Sequence, residues 1–551
     1  MTAIRALILC WAALASLAAA QPAPVADKAK AMADAFEYAQ LASLSQSSIT
    51  LNTIAARTAR GAGPVAILER RRDALEQQQD AAVRAYEAAL SDPGPEAKTK
   101  LEVARRDRER LVSEIAAIAA QVRKADPAYW DLIRPDALSL KAAQALLNPD
   151  EALLFVFTFE TATYSFALTA TDARWHRSAL LSDPVLAESV RLLRSQIAGE
   201  LTAGYMGAGF DPVLSAKLYS ELIAPLDAVI GGKRRLLSVV SGPLAALPLQ
   251  LLVSGNAEDA ERITWLADTY RVDALASVAM LRSVRCLLAD PARRHPGCSG
   301  ASGRTTAAAA TTAMLTGFGD PVLGPPVKDE LRGANEPAGM LTRGVANRGE
   351  LLKMPSLPGS RRELEAIAQS YGAARSQLFL GPQASEINVR RQLGSSRARF
   401  VIFSTHGVLA SEIGELADPG LVLTPPPTAA ADGTDDGYLS ASEVTQLNFA
   451  GASIVLSACN TATVETGSAT RNLQSLARAF QFAGARNVIA SHWSVSDEAT
   501  AILMSRFFAT LAANPGMAED EALYLASKNL RADPDWRSPA FWAPFSIIGV
   551  P

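Results

Sequence analysis

The first quarter of the chain carries apolar residues at helical spacing. Residues 27–125 are rich in alanine and in long polar side chains and contain few β-branched residues, which favours helix. Within residues 101–122, apolar side chains recur every three or four positions, and only Arg108 interrupts them. Because a Pro- and Gly-containing run at 91–95 breaks this pattern once, residues 64–124 are predicted to form a long antiparallel helical hairpin.

From about residue 150 the pattern changes to short apolar runs separated by helical stretches. Runs rich in β-branched and aromatic residues, typical of strands, lie at residues 152–159, 163–168, 236–240, 400–404, 453–456, 487–490 and 545–548. These runs are apolar at most positions, as strands buried on both faces are. The pattern therefore indicates an α/β fold in which a mostly parallel sheet is covered by helices on both faces.

The N-terminus has the pattern of a cleaved secretory signal peptide. Arg5 precedes an apolar stretch at residues 6–17, and a run of alanines ends at Ala20. The stretch is shorter than the roughly 20 residues that a membrane-spanning helix needs, and no other segment is long and apolar enough. Cleavage after Ala20 predicts a periplasmic or secreted protein, whereas lipid attachment at Cys10 is disfavoured by the large Leu9 before it.

These patterns divide the 551 residues into several parts, since one core cannot serve a chain of this length. The parts are a signal peptide (1–20), a helical region with the hairpin and the remnant of a helical repeat (21–148), a first α/β half (149–330) and a second α/β half (331–551). The first half contains a Gly-, Ser-, Thr- and Ala-rich stretch at 291–312, which is expected to be a flexible linker.

Composition and charge argue against several classes of function. Lys and Arg number 53 and Asp and Glu 56, so the net charge of -3 provides no field that would attract nucleic acid. The four histidines are scattered, no cysteine pair has zinc spacing, and the chain has no Gly-rich phosphate loop. Neither a metal nor another cofactor is therefore expected.

The cysteines suggest one reactive thiol. Of the four in the chain, Cys10 leaves with the signal peptide. Cys286 and Cys298 flank a short loop and could form a disulfide in an oxidising compartment, or both could be reduced. If they pair, Cys459 remains as an odd thiol, which in an exported protein suggests a reactive role.

Reactive side chains follow two predicted strands of the second half. His406 and Gly407 follow the strand at 400–404, and Cys459 follows the strand at 453–456. If these strands are neighbours in a parallel sheet, imidazole and thiol leave the same edge, where the base can generate a thiolate. The N–H groups of Gly407 and Cys459 could then form an oxyanion hole. The plainer interpretation is that Cys459 is a small buried side chain and His406 an ordinary loop histidine.

A series of short motifs runs through the second half, at residues 357–365, 403–407, 436–443, 454–461, 476–480, 483–485, 491–497 and 541–545. In this order they resemble a CHAT domain, a caspase-related family usually attached to tetratricopeptide repeats. Residues 150–330 are similar to the N-terminal half that such domains carry. The resemblance implies a caspase-like fold, in a clan with caspases, separase and gingipains. It also implies catalytic roles for the His-Gly and Ala-Cys motifs, here His406, Gly407 and Cys459.

The resemblance also implies a residue that selects the substrate. In separase-like relatives an acid in the segment matching residues 495–497 faces a basic residue before the scissile bond, so Asp497 is expected to select Arg or Lys. A local role is equally open, because Ser494 and Asp497 have the spacing of a capping box at a helix start. Ser360 and Glu363 have the same spacing and are also predicted to form a capping box.

Two positions depart from the family pattern. Residues 470–472 stand where relatives often carry a Gly-Glu-Gly-like stretch, and His492 stands where leucine is frequent. His492 follows a predicted strand, so it is an alternative base, or it simply packs beside Trp493. The departures at Arg471 and His492 favour a weakly active or inactive protein.

The sequence therefore predicts a caspase-like cysteine endopeptidase that cleaves protein or peptide substrates after Arg or Lys through the dyad of His406 and Cys459. Two alternatives stay open. One is an inactive caspase-like scaffold whose N-terminal helical region binds a protein partner. The other is an acyltransferase or esterase that uses the same dyad.

Overall fold

The computed structural model describes the chain in segments. They are residues 25–46, 63–90, 97–127, 129–130, 136–203, 209–259, 262–287, 294–298, 314–324, 341–342, 345–346, 348–395, 398–408, 419–427, 435–449, 451–457, 476–493 and 497–550. The predicted signal peptide, Cys459, Arg471 and most of the predicted linker at 291–312 lie outside the described residues.

The chain divides into two compact units, residues 48–135 and the remainder. In the smaller unit, helices Pro64–Leu90 and Ala97–Ala125 pack against each other, as the apolar spacing predicts. The short connection between them makes the pair antiparallel. The apolar residues of the second helix that are buried recur every four or seven positions, and they are Ala104, Leu111, Ile118 and Val122.

The helix Val25–Gln46 belongs to the larger unit, so the predicted helical region is divided between the two units. Phe36 on this helix lies against Phe155 of the sheet, with ring centroids 6.2 Å apart. The Gln40 side chain donates to the carbonyl oxygen of Leu138 and accepts from its N–H, at 2.8 and 2.9 Å. A buried ring and a paired amide therefore hold this helix on the sheet.

The strands of the larger unit are numbered here in chain order over the described residues. They are β1 Glu151–Phe159, β2 Ala162–Leu168, β3 Ala173–Ser178, β4 Arg235–Val240, β5 Val253–Gly255, β6 Thr264–Trp265, β7 Arg271–Ala274, β8 Leu315–Gly319, β9 Leu341–Thr342, β10 Val345–Ala346, β11 Ser376–Leu380, β12 Phe400–Ser404, β13 Gly407–Val408, β14 Gly420–Val422, β15 Tyr438–Ser440, β16 Ser453–Leu456, β17 Asn487–Ser491 and β18 Phe545–Gly549.

The α-helices of the larger unit lie between and around these strands. They are Val25–Gln46, Leu140–Gln144, Asp183–Ala203, Pro212–Leu222, Asp227–Ile230, Leu266–Thr269, Val278–Arg282, Arg348–Leu351, Pro358–Tyr371, Glu386–Ser395, Ala441–Val444, Asp497–Ala513, Glu519–Arg531 and Pro539–Trp542, and residues 476–482 are also helical.

Among the described strands, eleven form one sheet in the order β11-β8-β12-β16-β17-β18-β7-β4-β1-β2-β3. Neighbours from β11 to β17 are parallel. β18 is antiparallel to β17 but parallel to β7, β4 and β1, so strand direction reverses between β17 and β18. β2 and β3 complete the sheet as antiparallel strands. The predicted α/β fold, a mostly parallel sheet between helices, is confirmed.

The position of β8 differs from the predicted domain division. Its residues, 315–319, fall within the predicted first half, yet β8 lies between β11 and β12 of the second half. The sequence pattern gives the strand itself but not its neighbours, because pairing depends on contacts between distant segments. The second half therefore begins before residue 315.

The central strands are buried on both faces and separate two cores. Phe400 of β12 contacts Phe508 on helix Asp497–Ala513, with ring centroids 5.1 Å apart. Phe403 points to the opposite face and contacts Phe480, at 5.8 Å, on the helical segment 476–482. This is why β12 is apolar at every position except its last, where it approaches the site described below.

A disulfide joins Cys286 and Cys298, whose Cα atoms are 5.6 Å apart. Cys286 is buried in the core on the face covered by helix Val25–Gln46. Next to it, Arg285 forms an ion pair with Glu151 at the start of β1, with 2.7 Å between nitrogen and oxygen. The disulfide thus lies beside a buried contact of the sheet. No helix in the described part of the chain is both long and apolar enough to span a membrane.

Candidate active site

The carboxyl ends of β12 and β16 lie side by side. The two strands are parallel and paired in register, Phe403 opposite Leu456, and the N–H of Ser457 donates to the carbonyl oxygen of Phe403 at 2.9 Å. Neighbouring strands are about 4.8 Å apart, so the segments that follow them leave the sheet at one edge. We call the carboxyl ends of β12, β16 and β17 the active-site edge. Cys459 follows Ser457 by two residues and lies beyond the described part.

His406, two residues beyond β12, is oriented by a backbone carbonyl. Its side chain is 1% exposed, and its Nε2 is 2.8 Å from the carbonyl oxygen of Pro355. A carbonyl oxygen only accepts hydrogen bonds, so Nε2 carries the hydrogen and Nδ1 is the basic nitrogen of the neutral ring. Pro355 belongs to no recognised catalytic motif, and no local pattern marks it as the group that orients His406.

Gly407 opens the short strand β13, which pairs antiparallel with β14. The N–H of Val422 in β14 donates to the carbonyl oxygen of His406 at 2.9 Å, so these two residues form a hydrogen-bonded pair of the ladder. In an antiparallel ladder such pairs alternate with pairs whose N–H groups point away from the partner strand. The Gly407 N–H therefore points away from β14, as an oxyanion donor must.

The end of β12 is held by residues of helix Pro358–Tyr371. The hydroxyl of Ser404 donates to Oε2 of Glu363 at 2.7 Å, and Glu363 is 1% exposed. The hydroxyl of Ser360 donates to the carbonyl oxygen of Ser404 and accepts from the N–H of Asp320 at 2.9 Å. Both residues therefore support the strand that leads to His406.

The predicted capping box of Ser360 and Glu363 is wrong. The helix begins at Pro358, and the residue before it, Leu357, makes no side-chain cap. Proline is favoured in the first turn because its missing N–H is not needed there. Ser360 and Glu363 thus lie inside the helix, where their side chains are used across the gap to β12 instead.

Beyond β12 the chain forms a small sheet of β13, β14 and β15. Glu386 binds the backbone just before β15. Oε1 of the buried Glu386 accepts hydrogen bonds from the N–H groups of Asp436 and Gly437, at 3.0 and 2.8 Å. Burial raises the pKa of Glu386 to about 8, and the carboxylates of Glu443 and Asp436 add to the effect. Glu386 lies outside the family motifs recognised in the sequence, although it holds the backbone of the motif at 436–443.

The turn before β15 requires glycine. Gly437 has φ +91°, and a Cβ at this position would lie 2.7 Å from the Cα of Pro425. Three residues later, Ser440 and Glu443 form a capping box at the start of helix Ala441–Val444. The motif at 436–443 is thus a tight turn, a strand and a helix start, which together position β14 against β13.

His492, the alternative base, makes hydrogen bonds with β18 and with the residue before it. It follows β17, and its Nε2 is 3.0 Å from the hydroxyl oxygen of Ser546. Its N–H donates to the carbonyl oxygen of Pro544 at 2.8 Å. Burial, together with the positive charge of Arg194, lowers the pKa of His492 to about 3. The ring is therefore neutral at ordinary pH.

Asp497 is the first residue of helix Asp497–Ala513, on the segment that follows β17. β17 is the direct neighbour of β16, so this segment leaves the active-site edge next to the one that bears Cys459. The side chain of Asp497 and the residues 494–496 lie outside the description, and both its predicted roles stay predictions. Within the described chain, no cluster of His, Cys, Asp or Glu could hold a metal ion.

Fold and site together define an α/β protein with a histidine and a cysteine on adjacent strand connections. Residues 213–550, more than half of the chain, match the CHAT domain family. The chain belongs to this family, and the resemblance found in the sequence is confirmed. A comparison with curated proteins finds no match.

Solved structures similar to the chain include the Saccharomyces cerevisiae separase–securin complex at 3.0 Å and at 2.6 Å resolution. Their TM-scores are 0.41 and 0.37, each at 10% sequence identity. Each match covers 88% of this chain and 37% of the other chain, so the protein spans little more than a third of the length of those relatives.

Proposed function

We propose that the protein is an exported cysteine peptidase in which His406 is the base and Cys459 the nucleophile. The observation that carries the proposal is the parallel pairing of β12 with β16, which directs the segments bearing both residues out of one edge. Membership of the CHAT domain family supports it, and so does the hydrogen bond that presents Nδ1 of His406 as the basic nitrogen.

In the proposed reaction, Nδ1 of His406 takes the proton from the thiol of Cys459, and the thiolate attacks the substrate carbonyl carbon. The carbonyl oxygen becomes negative and accepts hydrogen bonds from the N–H groups of Gly407 and Cys459. Collapse of this adduct breaks the peptide bond, and the amine leaves with the proton held by His406. Water, deprotonated by the same nitrogen, hydrolyses the thioester and restores the thiol. Pro355 holds the ring in place throughout.

Substrate selection is assigned to Asp497. A carboxylate in a desolvated pocket pairs with a guanidinium through two parallel hydrogen bonds and with an ammonium through one. We therefore propose cleavage after Arg or Lys. The position of Asp497 on the connection after β17, beside the connection that bears Cys459, supports this assignment.

Export to the periplasm or the medium is part of the same proposal. The N-terminal residues have the pattern of a signal peptide, and the disulfide between Cys286 and Cys298 fits an oxidising compartment. A protein partner is proposed for the hairpin of Pro64–Leu90 and Ala97–Ala125. It is a compact unit by itself and carries half-exposed apolar side chains at Ile67, Val103 and Val112.

Alkylation of Cys459 tests the dyad. We expect iodoacetamide to modify Cys459 of the wild type at about pH 6.5, well below the ordinary thiol pKa of about 8.5, because His406 stabilises the thiolate. The His406→Gln variant should react at the rate of a free cysteine, and mass spectrometry of the labelled peptide measures both. His492→Gln is the control and should react like the wild type. Equal rates for wild type and His406→Gln would refute the dyad.

A peptide panel tests the reaction and its specificity. We expect the wild type to cleave fluorogenic peptides after Arg and Lys and Cys459→Ala to cleave none. Asp497→Asn should lose most of its preference for basic residues, because an amide does not attract a cation. A matched ester series separates a peptidase from an esterase or acyltransferase. Cleavage by the alanine variant would point to a contaminant, whereas an inactive wild type with a reactive Cys459 would favour the scaffold.

A further inference from the structure

An arginine of the first half binds the chain where it leaves β17. Arg194, on helix Asp183–Ala203, donates through Nη1 to the carbonyl oxygen of His492 at 3.2 Å. The same nitrogen donates to the carbonyl oxygen of Ala246 within the first half, at 2.6 Å. One guanidinium therefore ties the segment that follows β17, at the active-site edge, to the first half.

A second arginine makes the reciprocal contact. Arg478, on the helical segment 476–482 of the second half, donates through Nη2 to the carbonyl oxygen of Ala276. Ala276 follows β7 of the first half by two residues. Arg478 is 4% exposed. Each half thus contributes one arginine that binds a backbone carbonyl oxygen of the other half.

Both side chains remain charged in surroundings that are poor in counter-charge. Burial lowers the pKa of Arg194 and of Arg478 to about 10, which is still far above neutral pH. Among the described residues, no carboxylate lies within ion-pair distance of either guanidinium. A buried charge bound by carbonyl oxygens alone stabilises a fold less well than apolar packing would. These hydrogen bonds instead fix the orientation of the carbonyl group that each arginine binds.

The contact of Arg194 lies at the active-site edge, and His492, which it binds, precedes Asp497 by five residues. The contact of Arg478 lies at the opposite edge, because β7, which leads to Ala276, runs antiparallel to β17. The two halves are also joined by the pairing of β18 with β7 at Ile547 and Ile548 and by contacts such as the ion pair of Arg271 with Asp520.

We propose that Arg194 is a positioning residue through which the first half holds the active-site edge of the second half. The first half then acts as a built-in activator of the catalytic half. The expected effect on activity rests on the proposed peptidase function, whereas the hydrogen bonds of Arg194 are independent of it.

The test compares Arg194→Met and Arg478→Met with two matched variants. Arg191→Met changes an exposed arginine of the same helix that pairs with Glu188, and it serves as the control. Arg194→Lys keeps the charge and one donor. Hydrogen–deuterium exchange of the full-length protein measures whether residues 487–500 and 476–482 open, and iodoacetamide labelling at about pH 6.5 measures the state of Cys459.

We expect Arg194→Met to accelerate exchange in residues 487–500 and Arg478→Met to accelerate it in residues 476–482, with Arg191→Met unchanged. Labelling of Cys459 should keep the wild-type rate in Arg478→Met, because the contact of Arg478 lies at the edge opposite to the active-site edge. In Arg194→Met the KM for basic peptides should rise more than kcat falls, and Arg194→Lys should recover part of the loss. A purely structural role would lower melting temperature without changing labelling or the balance of KM and kcat.

The outcomes separate the two proposals. Faster exchange in residues 487–500 of Arg194→Met together with an inactive wild type supports the positioning contact and rejects the peptidase. Unchanged exchange in residues 487–500 of Arg194→Met overturns the inference, whatever the activity. If the methionine variants fail to fold, Arg194→Lys decides: exchange and KM equal to those of the wild type overturn the inference, and an intermediate KM supports it.

Discussion

At the scale of single residues, the proposed chemistry depends on groups that orient His406 and Gly407. His406 stands in the sequence as one of four histidines, and its position after a strand was enough to select it. Its basic nitrogen, however, is set by the carbonyl oxygen of Pro355, a backbone group far away in the chain. The same is true of Glu386, whose carboxyl holds the turn that supports the β13–β15 sheet.

Glu386 is expected to make stability depend on pH. Its pKa is about 8 in the folded chain and near 4.5 in the unfolded chain, so the folded state binds the proton more tightly. Its contribution is complete below about pH 4.5 and is lost as pH rises through about 8. Glu386→Gln keeps the accepting oxygen but does not ionise, so its unfolding free energy should fall less over this range, by up to about 1.4 kcal/mol per pH unit.

Urea unfolding of wild type and Glu386→Gln at several pH values measures this difference. Groups that face Glu386 are Asp436 and Glu443 as acids and Arg390 as the cation, and all remain in the variant. Glu365→Gln, at an exposed position of helix Pro358–Tyr371, is the control and should follow the wild type. Parallel curves for wild type and Glu386→Gln would contradict the assigned titration.

At the scale of elements, helix Pro358–Tyr371 and strand β12 act as one support. The helix packs on the sheet, and two of its polar side chains reach the last residue of β12, two positions before His406. These two hydrogen bonds explain part of the motif at 357–365, for which the sequence pattern predicts only the start of a helix. Side chains with the spacing of a capping box can equally bond a neighbouring strand, and the sequence does not distinguish these two arrangements.

Ser404→Ala is expected to lower the unfolding free energy by about 1–3 kcal/mol, because it removes a hydroxyl donor from the buried carboxylate of Glu363. The loss of support at the end of β12 should also lower kcat for peptide cleavage. Denaturant unfolding and steady-state kinetics measure the two effects. The control is Ser370→Ala on helix Pro358–Tyr371. It removes a hydroxyl that donates to the carbonyl oxygen of Ala366 within that helix, and it should change neither quantity appreciably. Equal stability of both variants would show that the contact is unimportant.

At the scale of the whole molecule, one sheet unites the two halves, and strand direction reverses once among its central strands. The reversal lies between β17 and β18, so the carboxyl ends of β12, β16 and β17 do not point to the same side as those of β7, β4 and β1. The active-site edge therefore belongs to the second half, and Arg194 of the first half donates a hydrogen bond to its backbone at His492. The hairpin is a separate compact unit.

The number of free thiols tests the redox state of the whole exported chain. If the signal peptide is removed and Cys286 pairs with Cys298, the denatured protein should show one reactive thiol, Cys459, and three after reduction. Thiol titration of protein collected from the periplasm or the medium measures this, with Cys459→Ala as the control that should show none before reduction. Three thiols before reduction would contradict the disulfide in the mature protein, and intact N-terminal residues would contradict cleavage.

The sequence by itself determined the local elements and the chemistry that they could carry. Periodicity is a local property, so the hairpin, the buried strands and the family motifs could be read from neighbouring residues. The candidate pair of His406 and Cys459 also followed, because parallel strands direct their carboxyl ends to one edge whatever the details of packing.

Only the tertiary structure decided which distant groups meet. It placed β8 in the second half, Val25–Gln46 on the sheet, and the Pro355 carbonyl against His406. It also showed that Ser360 and Glu363, predicted to cap a helix, instead form hydrogen bonds with the last residue of β12. The physical reason is that hydrogen bonds and strand pairing join segments that are remote in sequence, and no local pattern of polar and apolar residues specifies such partners.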